Sequence, residues 1–402
     1  MHYPCVFTIF VIFLTIIQSS CVQKSKFGTE PKDSQLNFTQ LAGKYGYYAE
    51  EHTVTTEDGY ILKIFRMRAR QCEGERPPVL LMHGLLMSSD SFLNAGPGNG
   101  LAYLLSDVCF DVWSGNVRGN YYSRAHVTLN PNEADFWNFS YDQMGYYDNP
   151  AIVDHILKTT GHKKLSYIGY SQGTGIGFIM CSERPGYCDK LNIFINLAPS
   201  TRHLYTKSRF ARALVMFFMR HERLFEKAGV HELLRKSEPN AMTHFIVEFC
   251  HTRMGEAMMR SIISLLDSYH RKSLSSSTVR TVCGRSAAGS SLRTVVQYGQ
   301  AMKSKCFQKF DYGADNIKIY GSVEPPSYNL RATTAPVVLF YGEKDGMVDP
   351  IDVMWLAAQL PNLVEAYLVP DPKWNHMDFG NGQDMPKLIF PKIKQYLLRY
   401  IE

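Results

Sequence analysis

The pentapeptide Gly169-Tyr170-Ser171-Gln172-Gly173 places a serine between two elements of different type. The apolar run 165–168 predicts a buried strand, and the small, apolar segment 174–180 predicts a helix packed on the same sheet. A serine at such a strand-to-helix turn has a strained backbone and an exposed hydroxyl. We therefore interpret Ser171 as a nucleophile for acyl transfer, and not as a surface serine in a glycine-rich turn.

A serine nucleophile needs a general base, and the base needs a carboxylate that orients it. On this type of turn the three groups follow in the order serine, carboxylate, histidine, each in a loop after a strand. The chain supplies Asp345 after the apolar run 335–342, and His376 after the run 364–369. We expect His376 to take the proton of Ser171 and return it to a leaving alcohol, while Asp345 fixes the imidazole tautomer.

Other acidic residues near these strands are alternative partners for the histidine. Asp349 is the second choice, although its place before Pro350 is more typical of a helix N-cap. Asp378 and Glu343 rank below it.

The reaction also needs hydrogen-bond donors for the oxyanion of its tetrahedral intermediate. We expect them to be the backbone N–H of Gln172, directly after the nucleophile, and that of Leu85 in the loop His83-Gly84-Leu85-Leu86. His83 precedes the serine in the chain, so we interpret it as a residue that holds this loop, not as the base.

The elements that must position these groups alternate between strand and helix. The near-continuous apolar strands predict a mostly parallel sheet with helices on both faces, preceded by a hairpin at 47–67 and a loosely held arm at 24–45. The helix that begins near residue 149 is expected to use Asn149 as its N-cap and to stop at Gly161. Predicted strands cover 77–82, 110–113, 165–168, 191–198, 335–342 and 364–369, and further helices cover 351–360 and 387–400.

Between residues 200 and 325 this alternation stops. The segments 212–227 and 253–266 have the apolar pattern of helices, no strand is evident, and the Ser- and Gly-rich stretch 275–291 predicts a loop. We interpret 200–325 as a helical insertion that covers the sheet.

Composition and the N-terminus set outer limits on function. A formal net charge of +6 over 402 residues, without a dense Lys/Arg run, does not favour nucleic acid binding. Residues 1–22 predict a secretory signal peptide, with an uncleaved anchor as the alternative, and no other stretch is apolar and long enough to span a bilayer.

Secretion agrees with the glycosylation sequons at Asn37 and Asn138. If Cys5 and Cys21 leave with the signal, seven of the nine cysteines remain, so at least one is unpaired.

Many segments together resemble one family, the animal acid lipases, which include gastric lipase, lysosomal acid lipase and insect relatives. The matching segments are Glu50-Glu51-His52-Thr53-Val54-Thr55-Thr56-Glu57-Asp58-Gly59-Tyr60-Ile61-Leu62, His83-Gly84-Leu85-Leu86, Asp111-Val112-Trp113-Ser114-Gly115-Asn116-Val117-Arg118-Gly119-Asn120, Phe136-Trp137-Asn138-Phe139-Ser140, Tyr147-Asp148-Asn149-Pro150-Ala151, the serine pentapeptide, Leu197-Ala198-Pro199, Tyr298-Gly299-Gln300 and Asn375-His376-Met377-Asp378-Phe379.

This resemblance implies an α/β-hydrolase fold with a helical cap or lid, formed by core residues 23–199 and 326–402 around the insertion 200–325. It implies hydrolysis of triacylglycerols or sterol esters without a metal or organic cofactor. It also places the family's triad on Ser171, Asp345 and His376 and its oxyanion donors on Leu85 and Gln172. Two positions depart from the family pattern: Tyr170 replaces a usual histidine and Gly175 a usual threonine. Neither is expected to touch the proton relay.

The favoured hypothesis is a secreted or lysosomal lipase that acts as a monomer at a lipid–water interface and has no stable membrane span once the signal peptide is removed. One alternative is an esterase for short, soluble esters with the same triad. The other is a lipid carrier on an inactive scaffold, whose usual sign is a lost nucleophile, base or acid.

Overall fold

The computed structural model describes residues 32–72, 74, 77–236, 241–285 and 287–401. The predicted signal peptide, residues 1–22, lies outside these ranges.

A nine-stranded sheet forms the centre of the fold, in the order β1-β2-β4-β3-β6-β7-β10-β11, with β5 paired to β2. The antiparallel pair β1–β2 is the predicted hairpin. From β4 to β11 all neighbouring strands are parallel, which confirms the mostly parallel sheet. The strands are β1 Tyr48–Thr55, β2 Tyr60–Arg68, β3 Pro78–Met82, β4 Asp111–Ser114, β5 Ala125–His126, β6 Leu165–Tyr170, β7 Leu191–Leu197, β8 Glu232–Leu233, β9 Ser290–Ser291, β10 Val337–Tyr341 and β11 Leu363–Leu368.

Helices lie between and after these strands. Those of the core include Phe38–Lys44, Leu101–Asp107, Asn149–Thr160, Gln172–Glu183, Pro350–Ala357 and Phe390–Arg399. Those between β7 and β10 include Arg209–Arg220, Glu222–Lys227, Ala241–Cys250, Arg253–Leu266, Ser276–Arg285, Leu292–Ala301 and Asn316–Tyr320. We call residues 200–325 the cap segment; its boundaries stay a prediction.

Both faces of the sheet are buried, because alternate residues of each strand enter different clusters. In β3, Leu80 and Met82 pack with the helices Asn149–Thr160 and Gln172–Glu183, whereas Val79 and Leu81 pack with the helices Leu101–Asp107 and Phe390–Arg399. Two covered faces explain why the parallel strands are apolar at nearly every position.

Two segments that were expected to be irregular are helical. In the predicted arm, residues 38–44 form a helix whose Phe38 and Ala42 are fully buried in the core. In the predicted loop 275–291, the helix Ser276–Arg285 buries threonines and valines along one face. The first expectation was wrong because a few apolar residues among polar neighbours pack into the core. The second was wrong because threonines occupy buried positions of the helix.

Two smaller expectations also differ from the structure. The cap segment contains strands after all, since β8 and β9 pair over two residues each. Asn149 is not a cap, because the preceding turn 144–148 runs into the helix and the Asn149 side chain donates to the Tyr167 hydroxyl at 2.9 Å. The helix ends at Gly161 with φ 74°, as predicted.

Three disulfides join Cys72 to Cys109, Cys181 to Cys188 and Cys250 to Cys283. Cys306 is exposed and unpaired, which agrees with the odd count expected after signal removal. The third disulfide links two helices of the cap segment.

The turn after β6 is tightly constrained. Ser171 has φ 52° and ψ −119°, a left-handed conformation that is rare for a residue with a side chain. A Cβ on Gly173 would overlap the backbone carbonyl of Met82, and one on Gly169 would lie 2.7 Å from the Gly173 carbonyl carbon. The turn therefore requires glycine at both positions, since the helix Gln172–Glu183 begins in contact with β3.

We expect Gly173→Ala to lower the free energy of unfolding by at least about 2 kcal/mol, because rigid backbone must move to admit the methyl group. Urea denaturation measures this change. Gly43→Ala is the matched control: it also lies in a helix, nothing approaches its added Cβ within 4 Å, and it should stabilise the protein by up to about 1 kcal/mol. An unaltered midpoint for Gly173→Ala would contradict the tight turn.

Candidate active site

The structure brings Ser171, His376 and Asp345 into one hydrogen-bonded chain. The Ser171 Oγ lies 2.9 Å from Nε2 of His376, and Nδ1 of His376 lies 2.9 Å from Oδ2 of Asp345. The three residues follow β6, β11 and β10, whose carboxyl ends meet at the same edge of the parallel sheet. The positions predicted from chain order therefore meet in space.

The Asp345 carboxylate is held on both sides. Its Oδ1 accepts hydrogen bonds from the backbone N–H groups of Met347 at 2.9 Å and Val348 at 2.7 Å, which leaves Oδ2 for the imidazole. With a carboxylate facing Nδ1, that nitrogen donates, and Nε2 is free to accept the serine proton.

The chain of three groups is almost closed to solvent, with Ser171 9%, His376 3% and Asp345 1% exposed. Burial alone lowers the pKa of His376, but the charge and hydrogen bond of Asp345 outweigh it, so this pKa lies above its ordinary value. A proton on the imidazole is thus stabilised, as a general base requires.

One predicted oxyanion donor, Gln172, directly follows the serine, and the loop that carries the other, Leu85, touches it. Gln172 is the first residue of its helix, where backbone N–H groups have no acceptor in a preceding turn. The loop after β3 lies against Ser171, because a Cβ on Gly84 would come within 3.2 Å of Ser171 Cβ and 3.6 Å of its Oγ. The residue before Leu85 thus lies against the nucleophile, and the part of Leu85 as an oxyanion donor stays a prediction.

His83 holds this loop, as expected. Its Nδ1 donates to the Gly84 carbonyl at 2.8 Å, and its Nε2 accepts from the Asn120 amide at 3.1 Å and from the Val117 N–H at 3.4 Å. Complete burial lowers the pKa of His83 to about 4, so the ring stays neutral.

The lower-ranked carboxylates have other partners. Asp349 caps the helix Pro350–Ala357 by accepting from Ile351 N–H at 2.9 Å. Asp378 accepts from Nδ1 of His270 at 2.7 Å, and Glu343 is exposed. Of these candidates, Asp345 is the one that reaches His376.

The expectation that Tyr170 stays clear of the proton relay was wrong. Its hydroxyl donates to the backbone carbonyl of His376 at 3.0 Å, and the two rings lie 5.5 Å apart between centroids. The residue before the nucleophile thus helps to place the base. Gly175 is the second position that departs from the family pattern. An added Cβ there would overlap the Ser200 carbonyl, so the threonine usual in the family does not fit this backbone.

Sequence reasoning also missed Asp267, which comes from the cap segment and is 6% exposed. Its Oδ1 accepts from Gly346 N–H at 2.8 Å, and its Oδ2 accepts from Met377 N–H at 3.0 Å. Each donor directly follows a member of the triad.

Neither a metal site nor a membrane-spanning helix is present among the described residues. No group of three or more His, Cys, Asp or Glu side chains there is placed to hold a metal ion. No helix within them has the length and apolar character needed to cross a membrane.

Two family models match this chain, and together they cover residues 38–383. Residues 77–383 match the family model of the alpha/beta hydrolase fold, and residues 38–96 match that of a partial alpha/beta-hydrolase lipase region. The crystal structure of a Sulfolobus solfataricus protein superimposes with a TM-score of 0.59 over 88% of this chain and 95% of the other, at 14% identity, and it supports the fold alone.

Two animal lipases are similar to this chain over nearly its whole length. Lipase 1 of Drosophila melanogaster is 38% identical over 376 residues, which is 91% of this chain and 80% of that protein. Gastric triacylglycerol lipase of Bos taurus is 35% identical over 370 residues, 90% of this chain and 91% of that protein. At such identity and coverage, the chain belongs to the acid lipase family of the α/β-hydrolase fold.

Proposed function

We propose that this protein is a lipase that hydrolyses carboxylic ester bonds of neutral lipids through an acyl-enzyme on Ser171. The hydrogen-bonded chain from Ser171 through His376 to Asp345 is the observation that carries the proposal. A serine paired with an imidazole, which is itself oriented by a carboxylate, is the arrangement that activates a hydroxyl for acyl transfer.

In the acylation step, Nε2 of His376 removes the proton of Ser171 while Oγ attacks the ester carbonyl carbon. The carbonyl electrons move to oxygen, where the N–H groups of Leu85 and Gln172 donate to the resulting oxyanion. One such donor lowers the barrier by about 2.7–4 kcal/mol. When the intermediate collapses, the imidazolium protonates the departing alcohol and the acyl group stays on Oγ.

Deacylation repeats these steps with water in place of serine. His376 takes a proton from water, the hydroxide attacks the acyl-enzyme, and the proton returns to Ser171 Oγ as the fatty acid leaves. Asp345 stabilises the imidazolium in both halves and itself stays ionised.

Two observations support neutral lipids as the substrate class. The relatives are named as lipases, and one is named as a triacylglycerol lipase. The cap segment also exposes large apolar side chains, which suit contact with a lipid–water interface. They are Leu224, Phe245, Met254, Leu265 and Tyr269.

We also propose that the protein acts outside the cytosol, as a secreted or lysosomal monomer. Three disulfides fit an oxidising compartment. The sequon residues Asn37 and Asn138 are both exposed, so a glycan could be attached to either. The Asn37 side chain already caps the helix Phe38–Lys44 through its carbonyl oxygen, which glycosylation of its nitrogen leaves in place.

The first test is covalent labelling of the serine. A long-chain phosphonate should label the wild type at one site and leave Ser171→Ala unlabelled, because only an activated Oγ attacks phosphorus. Ser171→Ala should also lose release of fatty acid from emulsified triolein and cholesteryl oleate. Wild type that is folded but unlabelled would instead indicate a lipid carrier, and activity confined to dissolved short-chain esters would indicate an esterase.

The second test is the pH profile. His376 must be neutral to act as a base, and its pKa is raised above the ordinary 6.5, so kcat/KM should fall as pH drops through a midpoint above 6.5. The loss occurs on the acid side because Asp345 stabilises the protonated imidazole, and the protonated imidazole cannot act as a base. A midpoint below 6.5 in the wild type would contradict this assignment.

The third test removes the acid. Asp345→Asn should lower kcat by roughly 10⁴-fold, because an amide facing Nδ1 favours the wrong tautomer. The matched control is Asp349→Asn, four residues further along: asparagine caps helices as well as aspartate does, so activity should stay near that of the wild type. Equal losses in the two variants would mean that Asp345 acts only through local structure.

A further inference from the structure

The cap segment contacts the two loops that carry the acid and the base of the triad. The Ser268 hydroxyl donates to the Lys344 carbonyl at 2.7 Å, directly before Asp345, and the Asn375 amide donates to the Ser268 carbonyl at 2.9 Å, directly before His376. Asp267, which precedes Ser268, bonds to the residues that directly follow Asp345 and His376.

Asp267 accepts one hydrogen bond from each catalytic loop, from Gly346 N–H and Met377 N–H. One carboxylate therefore bridges the residues that follow Asp345 and His376. The contact is close, because a Cβ on Gly346 would lie 2.7 Å from the Asp267 carbonyl oxygen. Such a bridge fixes the separation of the two loops, and with it the hydrogen bond between acid and base.

The position of Asp267 in its own helix is unfavourable. It ends the helix Arg253–Leu266, where the helix dipole disfavours a negative charge. It is also buried, which adds a desolvation penalty. A residue that breaks local preferences in this way needs a compensating interaction, and the two backbone N–H groups and the imidazole supply it.

We propose that Asp267 is a positioning residue of the active site, a second carboxylate that holds the acid and base loops together and stabilises protonated His376 during the reaction. This inference rests on the proposed lipase activity and adds to it a part played by the cap segment. It follows that the cap does more than cover the substrate, because it contributes a charge to the proton relay.

The electrostatics of the cluster agree with this geometry. Burial and the neighbouring Asp345 charge raise the pKa of Asp267 to about 7, while His376 and the two N–H bonds oppose that rise. In turn, the carboxylates of Asp345 and Asp267 both raise the pKa of His376 against its burial. The three groups titrate together, so removing one negative charge lowers the pH at which the cluster takes up a proton.

Other titratable groups surround the cluster of Asp345, His376 and Asp267. Tyr170 is fully buried and stays neutral, because burial first and then nearby carboxylates raise its pKa. His203, bonded to Ser200 Oγ at 2.8 Å, is neutral since burial lowers its pKa to about 4. Lys344 directly precedes Asp345 in the chain. His270 of the cap segment lies 2.7 Å from Asp378 and 3.6 Å from Asp371.

The test compares Asp267→Asn with Ser268→Ala in the full-length protein. Asparagine keeps the shape but loses the charge and one of the two acceptors, whereas Ser268→Ala removes a neighbouring link between cap and acid loop without changing charge. Phosphonate titration counts active sites, and thermal denaturation checks folding. Should the asparagine variant fail to fold, Asp267→Ser, which keeps one acceptor, serves the same comparison.

For Asp267→Asn we expect the acid limb of kcat/KM to move to lower pH by about 1 unit. We also expect kcat per labelled site to fall by about 10- to 10²-fold, as the base loses its position. Ser268→Ala should leave the limb in place. An acid limb that does not move in Asp267→Asn, or that moves equally in Ser268→Ala, overturns this inference while leaving the lipase proposal intact; an unlabelled wild type would overturn the lipase proposal itself.

Discussion

The hydrogen bond between Asp345 and Nδ1 of His376 is the interaction on which the rest of the site depends. It sets the tautomer that lets Nε2 accept from Ser171, and it keeps a buried imidazole able to hold a proton. Everything around it limits movement: Met347 and Val348 fix the other carboxylate oxygen, and Tyr170 holds the histidine backbone from behind. A fixed geometry matters because acyl transfer loses rate steeply when the reacting groups are misplaced.

The sheet accounts for how such distant residues meet. Parallel strands present their carboxyl ends along one edge, and the order β6-β7-β10-β11 places the three loops side by side. The same covered sheet makes the strands strongly apolar, and for that reason the sequence revealed them clearly. The triad could be predicted because each member follows such a strand and because the chain order of the three is specific.

The features that sequence reasoning missed depend on contacts that leave no local pattern. Asp267 accepts hydrogen bonds from backbone N–H groups, which every residue but proline carries. The sequences of the partner loops therefore do not indicate that a carboxylate binds there. Its unfavourable place at a helix C-terminus was the one available sign. The helix Ser276–Arg285 was hidden because its buried face includes threonines in place of larger apolar residues. Phe38 was assigned to an arm because its neighbours are polar, although it stacks on Phe65 at 4.7 Å between ring centroids.

The pairing of β10 with β7 has a consequence for biosynthesis. β7 ends at Leu197 and β10 begins at Val337, so the whole cap segment is synthesised before the neighbour of β7 exists. Until then β7 presents an unpaired, apolar edge of the kind that promotes aggregation. Contacts so far apart in sequence also form slowly. A nascent chain of this protein therefore cannot bring Ser171, Asp345 and His376 together until its last strands have been synthesised.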